Sequence, residues 1–259
     1  MLDPDKRYVF IDGGYFRARR KEMFEPLFGK DGETDYSMLA NALSCRKGFY
    51  YDCADERKPA EPTGDFEVRK ARQMEEFNGI RQYPGFHVFQ GTLSGERRQK
   101  EVDVALAVDV LMHAQAGNIN EAFLVAGDLD FRPLVKALIQ LGIYVTILCR
   151  RSSSLELQYA ADHVNELTFS GVYGWSTQEF RRTHPIPETS LGGDATMPGW
   201  STIDTGKTES GVAVLFHNGG TDFMLKAPVR EGLLSAKFNN RDFLERYFRH
   251  VWGQLEWLT

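Results

Sequence analysis

The sequence has few cysteines and no arrangement of them that would build a disulfide framework or a zinc-thiolate site. Cys45, Cys53 and Cys149 are its three cysteines, an odd number with no CxxC spacing. It also has no apolar stretch long enough to span a bilayer, and its first residues lack the apolar run of a secretory signal. These absences argue against a disulfide-rich secreted protein and a membrane-spanning protein, and they favour a cytoplasmic location.

An excess of positive charge is missing as well. The formal net charge is −5 over 259 residues, which argues against nucleic-acid binding by bulk electrostatic attraction. Nucleic acid stays a candidate ligand, because carboxylates that hold a metal ion present less negative charge to a substrate. The glycines at 13 and 14 do not form a GxGxxG pattern, so a dinucleotide site is not indicated.

What the sequence does contain is an alternation of apolar runs and helical patterns over residues 1–170. Residues 8–11, 122–126 and 144–149 are typical of buried strands, and helical patterns lie between the strands. This alternation predicts an α/β domain with a Rossmann-like parallel sheet and right-handed crossovers. Residues 17–36 are charged and irregular, and we expect them to form a loop.

Residues 171–259 have a different character and are predicted to form an accessory segment. After a linker rich in Gly, Thr, Ser and Pro, residues 212–216 and 223–227 flank a glycine-containing turn, which indicates a β-hairpin. Residues 240–258 form an amphipathic pattern and predict a C-terminal helix. We expect its apolar face to pack on the hairpin or on the main domain, and a homodimer interface is the second interpretation.

Four aspartates stand where predicted strands end or helices begin. Asp12 ends the first strand, Asp128 and Asp130 follow the strand at 122–126, and Asp103 opens a helix. These positions meet at the carboxyl edge of a parallel sheet, where ligands bind. Since carboxylates that lie close together repel each other, a cation is expected between them. Aspartates without histidine or cysteine partners suit Mg²⁺ or Mn²⁺ better than zinc.

Each aspartate also has a structural interpretation of its own. Asp12 precedes two glycines and suits a turn, Asp103 suits the first turn of a helix, and Asp130 suits the N-cap of a helix at 131. Ser153 and Glu156 have capping-box spacing for a later helix. For each residue alone the structural interpretation is favoured, whereas the convergence of all four aspartates favours a metal site.

Three blocks of the sequence resemble the signature blocks of a known family. They read FIDGGYF at 10–16, KEVDVALAVD at 100–109 and LVAGDLDF at 124–131. Together they are similar to NYN domains, the LabA-like branch of the PIN-like nuclease superfamily, over roughly residues 6–170. The resemblance implies a PIN-like fold and metal-dependent cleavage of RNA, with Asp12, Asp103, Asp128 and Asp130 as the catalytic, metal-binding residues. The chain departs from many relatives at Tyr15, Ala126 and Leu129, where they have Asn, Ser and Ser.

Basic residues are predicted in loops around this acidic edge. Three groups of them suit a phosphate backbone that enters a metal site, and Tyr15 suits stacking on a base. The predicted substrate-binding residues are Tyr15, Arg17, Arg97, Arg98, Lys100 and Arg150.

The leading hypothesis is a cytoplasmic Mg²⁺- or Mn²⁺-dependent endoribonuclease that acts on single-stranded or structured RNA through an activated water. A non-catalytic module that binds RNA or a protein partner is the alternative, because the residues at 15, 126 and 129 differ from the family pattern. A DNA-directed nuclease is the third interpretation.

Overall fold

The computed structural model describes residues 4–91, 96–192 and 198–258, with side chains except those of residues 4 and 96–100. The chain divides into two compact units. The first consists of Met1–Lys21 and Glu33–Ser176, and the second of Glu22–Gly32 and Thr177–Thr259.

Strands and helices alternate through the first unit, and α1 continues into the second. Their order is β1 (Arg7–Asp12), α1 (Gly13–Phe28), α2 (Tyr36–Ala42), β2 (Lys47–Cys53), α3 (Thr63–Gln82), β3 (Phe86–Gly91), α4 (Glu96–Gln115), β4 (Glu121–Val125), α5 (Arg132–Gln140), β5 (Tyr144–Cys149), α6 (Leu155–Gln158), β6 (His163–Glu166) and α7 (Phe169–Gly174). A 3₁₀ turn at Leu129–Phe131 precedes α5.

Six strands of the described residues form a parallel sheet in the order β3-β2-β1-β4-β5-β6. The chain adds β2 and β3 on one side of β1 and then crosses over to add β4, β5 and β6 on the other. The strand order therefore reverses at β1, and the crevice for ligands in such sheets lies at the carboxyl ends of the strands at this point. The predicted α/β fold with a parallel sheet is confirmed.

Apolar side chains on both faces of β1 hold the sheet in place. Val9, Phe10 and Ile11 are fully buried. Phe10 belongs to a core cluster that also contains Leu106 of α4 and Leu124 of β4. Burying one such side chain contributes about 1.5–3 kcal/mol, so β1 and the aspartate that ends it have a firmly held backbone.

The expectation of a loop at residues 17–36 is wrong, because α1 continues to Phe28. Phe16, Arg20 and Phe24 follow each other at helical spacing, and all three are buried. Arg20 occupies the middle position among these buried residues. Its guanidinium Nη1 donates to Glu76 Oε1 at 2.8 Å and to Thr34 Oγ1 at 3.0 Å. The arginine therefore interrupts the apolar periodicity that predicts a helix, although its charge is paired inside the fold.

The second unit contains an antiparallel sheet that is larger than the predicted hairpin. Its elements are α8 (Gln178–Thr183), β7 (Glu188–Leu191), β8 (Ser201–Thr208), β9 (Gly211–His217), β10 (Phe223–Val229), β11 (Gly232–Phe238), α9 (Arg241–Val251) and β12 (Glu256–Trp257). The described strands pair in the order β12-β8-β9-β10-β11-β7, and β9 with β10 is the predicted hairpin. Most residues of β7 and β8 are polar and at least partly exposed, so these sequences carry little of the apolar alternation that marks a strand.

The C-terminal helix is shorter than predicted and packs on its own sheet. The Asn240 side chain caps α9 by accepting the Phe243 N–H at 2.9 Å, and the helix ends at Val251 instead of reaching residue 258. Leu244 and Phe248 are buried in one cluster with Leu225 of β10. The helix face that we expected to pack on the hairpin does so, and the homodimer through this segment stays a prediction.

Candidate active site

Asp12 lies at the carboxyl end of the central strand, where the strand order reverses. Its side chain is 6% exposed. Its Oδ1 accepts the backbone N–H of Tyr15 at 2.9 Å, which holds the carboxyl group against the first turn of α1. The next residue, Gly13, allows the Tyr50 ring to approach closely, because a Cβ at residue 13 would meet that ring at 2.5 Å. The backbone after Asp12 is thus packed closely against the Tyr50 ring.

Other carboxylates surround Asp12 closely enough to change its titration. Burial raises the pKa of Asp12 to about 7, against the opposing hydrogen bond from Tyr15, and the charges of Asp103, Asp52 and Asp128 raise it further. The charged groups that act on it most strongly are therefore all acidic. Three of the four predicted aspartates, from β1, α4 and the turn after β4, are electrostatically coupled, as we expect at the carboxyl edge of the sheet.

Asp128 and Asp130 have different local roles from those that the sequence indicates. Asp128, in extended conformation, is the N-cap of the 3₁₀ turn, and its Oδ1 accepts the Asp130 N–H at 3.0 Å. The expected cap at Asp130 is therefore wrong by two residues, because the 3₁₀ turn starts before the helix. Both side chains are exposed, whereas Asp103 is half-buried. The expectation that Asp103 opens its helix is wrong, because α4 already begins at Glu96. Asp130 is not among the groups that act most strongly on Asp12.

Asp52 is a residue of the site that the sequence reasoning missed. It stands near the end of β2, next to β1 in the sheet, and its side chain is 2% exposed. Burial raises its pKa, and the nearby Arg17 guanidinium opposes this. A usable signal exists in the sequence, since Asp52 follows the aromatic run at 49–51 just as Asp12 follows the apolar run at 8–11.

The structure places Arg17 against Asp52, on the second turn of α1 and not in a loop. The guanidinium Nε donates to Asp52 Oδ2 at 2.8 Å and Nη2 to Asp52 Oδ1 at 3.1 Å. Asp55 accepts two longer bonds from the same guanidinium, both at 3.4 Å. The donors of Arg17 are therefore directed at protein carboxylates. Its charge offsets that of Asp52 beside the acidic cluster, which consists of Asp12, Asp103 and Asp128.

Tyr15 is tied into the protein by its hydroxyl group. The hydroxyl oxygen accepts the Arg150 N–H at 2.8 Å and lies 3.2 Å from Ser153 Oγ. Burial raises the pKa of Tyr15, so the hydroxyl stays protonated in the neutral range. The guanidinium of Arg19 lies over its ring, 5.8 Å from the ring centre. Ser153 does not cap α6, because the neighbouring Ser154 accepts the Leu157 N–H.

The remaining predicted substrate contacts are placed only in part. Arg150 directly follows β5 at the carboxyl edge, and its side chain is exposed. The backbone of Arg97, Arg98 and Lys100 is part of α4, so the expectation that they lie in a loop is wrong. Their side chains lie outside the described part of the structure. Asp109, on the same helix as Asp103, has a separate role, since its Oδ2 accepts the Tyr51 hydroxyl at 3.0 Å.

The donor chemistry of this edge fits a hard divalent cation. Oxygen ligands are those that Mg²⁺ and Mn²⁺ prefer, and a cation beside Asp12 would offset the repulsion that raises the pKa of this residue. In the residues that the structure describes, no three acidic, histidine or cysteine side chains already lie close enough together to hold a metal ion. The charges of the neighbouring carboxylates therefore act on Asp12, but the carboxylates of the described residues are not positioned as a complete set of metal ligands.

This arrangement, a parallel sheet with acidic residues at the point where strand order reverses, defines an α/β protein with an acidic carboxyl edge. The family model of the NYN domain matches residues 8–168. The chain belongs to the NYN domain family, which is part of the PIN-like nuclease superfamily and is generally nuclease-like.

A crystal structure of a protein of unknown function from Vibrio parahaemolyticus is similar, with 18% sequence identity and a TM-score of 0.44; the match covers 64% of this chain and 96% of that one. No curated protein matches the chain. No helix in the described ranges is long and apolar enough to cross a membrane.

Proposed function

We propose that the protein is a metal-dependent endoribonuclease that hydrolyses RNA phosphodiester bonds. The observation that carries the proposal is the coupling of Asp103, Asp52 and Asp128 to the buried Asp12 at the reversal point of the sheet. Membership of a nuclease-like family supports it. Mg²⁺ or Mn²⁺ is the expected cofactor, held by Asp12, Asp103 and Asp128, with Asp130 contributing from the exposed 3₁₀ turn.

Each residue has a defined task in this proposal. A bound divalent cation would lower the pKa of a water molecule and offset charge on the scissile phosphate. Asp12 presents a carboxylate whose rotation is limited by the Tyr15 N–H. Arg17 compensates the charge of Asp52, which reduces the negative field that a phosphate meets on approach. Arg150 is exposed at the same edge and is proposed to contact the RNA backbone.

The experiment compares cleavage of end-labelled single-stranded RNA and of DNA with the same sequence, in Mn²⁺, in Mg²⁺ and in EDTA. We expect RNA cleavage with either metal, none in EDTA, and loss of cleavage in Asp12→Asn and Asp128→Asn. Asp109→Asn is the matched control, because this acid of α4 pairs with Tyr51 and is expected to leave cleavage intact. If the wild-type protein cuts no nucleic acid in any metal, or if Asp12→Asn cuts normally, the proposal is wrong.

A second candidate, a regulatory module that binds RNA or a protein without cleaving it, is favoured by the surroundings of the carboxylates. Leu129, between the two aspartates of the turn, is 42% exposed, which is unusual beside a site for a charged backbone. RNA binding in a mobility-shift assay without cleavage in any metal would support this candidate. Cleavage of the DNA strand in preference to RNA would instead identify a DNA-directed nuclease.

A further inference from the structure

Tyr15 contacts the ends of three different strands of the parallel sheet. Its backbone N–H donates to Asp12 Oδ1 at the end of β1. Its hydroxyl accepts the N–H of Arg150 at 2.8 Å, directly after β5, and lies 3.2 Å from Ser153 Oγ in the following turn. The last two partners are 135 and 138 residues away along the chain, so this one side chain links distant parts of the first unit.

The third strand end is that of β4, where the Tyr15 ring covers Gly127. A Cβ at residue 127 would collide with the ring edge, meeting Tyr15 Cζ at 2.8 Å and Ser153 Oγ at the same distance. The φ angle of this glycine is not positive, so the need for glycine comes from the close approach of the ring and not from the backbone conformation. The Tyr15 ring therefore occupies the space that a side chain at residue 127, directly before Asp128, would need.

We infer that Tyr15 is a positioning residue, which holds the aspartates at 12 and 128 and the Arg150 turn in one fixed arrangement. The inference rests on the proposed function for its catalytic consequence but not for its structural part. It replaces the interpretation of Tyr15 as a stacking platform for a base. Stacking needs an open ring face and no hydroxyl, whereas this ring is half-buried over Gly127 and its hydroxyl is bonded to the β5–α6 turn.

Tyr15→Phe distinguishes a positioning role from base stacking, since it keeps the ring and removes the hydroxyl. The first measurement needs no activity: amide hydrogen exchange of the 148–154 segment. Because the Arg150 N–H loses its acceptor, we expect its exchange to become at least about 10-fold faster. Tyr159→Phe is the control, because that tyrosine is 81% exposed at the end of α6 and its substitution should leave the segment unchanged.

The second measurement is on the proposed reaction and on the metal. Substituting a residue that orients metal ligands without binding the metal itself typically lowers metal affinity or activity by about 10- to 100-fold. Because the hydroxyl bonds fix the ring in place over Gly127, we expect Tyr15→Phe to lower kcat and Mn²⁺ affinity by about 10-fold, while KM for RNA changes less than about twofold. A stacking role predicts the opposite pattern, with normal kinetics in Tyr15→Phe and a raised KM in Tyr15→Ala.

The complementarity of ring and glycine is tested by a double-mutant cycle on the melting temperature. Gly127→Ala should lower it in the wild-type chain and should lower it less in Tyr15→Ser, because the ring that collides is gone. Gly79→Ala is the control, since a Cβ there meets nothing within 4 Å.

Normal exchange at Arg150 in Tyr15→Phe, or additive effects of Gly127→Ala and Tyr15→Ser, would overturn the inference. If the wild-type protein neither cleaves RNA nor binds Mn²⁺, the proposed function fails, while the exchange and melting experiments still decide whether Tyr15 positions the site.

Discussion

Arg17 and Asp52 form a two-point ion pair beside the acidic cluster, with Nε to Oδ2 at 2.8 Å and Nη2 to Oδ1 at 3.1 Å. Both groups are largely buried, with side-chain exposures of 21% and 2%. A carboxylate in this position, unpaired, would add a second buried negative charge next to Asp12. The pair therefore allows an extra carboxylate at the edge of the sheet while limiting its repulsion of Asp12 and of a phosphate.

Removing the arginine is expected to destabilise the protein strongly. Arg17→Met leaves Asp52 buried without its main partner, and breaking a buried pair from one side costs about 3–5 kcal/mol. Adding Asp52→Asn should recover much of this loss, because no charge then stays buried. Urea denaturation measures both variants. A loss in Arg17→Met that Asp52→Asn does not reduce would mean that the arginine acts through packing alone.

Asp12→Asn is expected to stabilise the metal-free protein at neutral and alkaline pH. The folded pKa of Asp12, about 7, is raised above the ordinary value of 3.8, so wild-type stability falls as the pH rises from about 4 to above 7 and the buried group ionises. The pKa difference corresponds to at most about 4 kcal/mol. Urea unfolding in EDTA should therefore show the largest advantage of Asp12→Asn near pH 8 and almost none near pH 3.5.

Addition of Mn²⁺ provides the control for this effect, because the ion stabilises only a chain that can bind it. The melting temperature of the wild-type protein should rise with Mn²⁺ at pH 8, and that of Asp12→Asn should not. Equal stability of the two proteins in EDTA at every pH would contradict the burial of a titrating carboxyl group.

Metal binding should itself depend on pH with a defined sign. Mn²⁺ must displace the proton that Asp12 still carries below a pH of about 7. Titration calorimetry should therefore show an affinity that increases up to about 10-fold per pH unit between pH 5.5 and 7 and then levels off. Proton release, seen as a dependence of the heat on the buffer, should disappear above pH 8. An affinity that does not change across this range would exclude Asp12 as a ligand.

The sequence was sufficient for the sheet and for the convergence of the main acids, for a physical reason. Buried parallel strands are continuous apolar runs, as at Val9, Phe10 and Ile11, and the topology of such sheets brings their carboxyl ends together. Asp12 and Asp128 follow this rule, whereas Asp103 was expected to open a helix and instead lies inside α4, which begins at Glu96.

The contacts that shape the site were beyond sequence reasoning because their partners are distant. Arg17 and Asp52 are 35 residues apart, and Tyr15 and Ser153 are 138 apart. No local periodicity marks either pair. Arg20 is buried and paired with Glu76, but in the sequence it is indistinguishable from a solvent-exposed charge. Its charge interrupts the apolar periodicity, so the helix that contains it was not predicted.

Destabilising the second unit tests whether the proposed RNA cleavage depends on it. Leu244 of α9 is fully buried against β10 and β11 residues such as Leu225 and Leu234, so Leu244→Ala should cost about 2–5 kcal/mol through lost packing and the cavity left behind. Because the proposed metal ligands all belong to the first unit, Mn²⁺ affinity and RNA cleavage at 15 °C should stay within about twofold of wild type, a difference below about 0.5 kcal/mol. Val212→Ala, at a residue of β9 that is 56% exposed, is the matched control and should change neither stability nor activity. Loss of cleavage in Leu244→Ala while the protein is still folded would mean that the second unit contributes to the site itself.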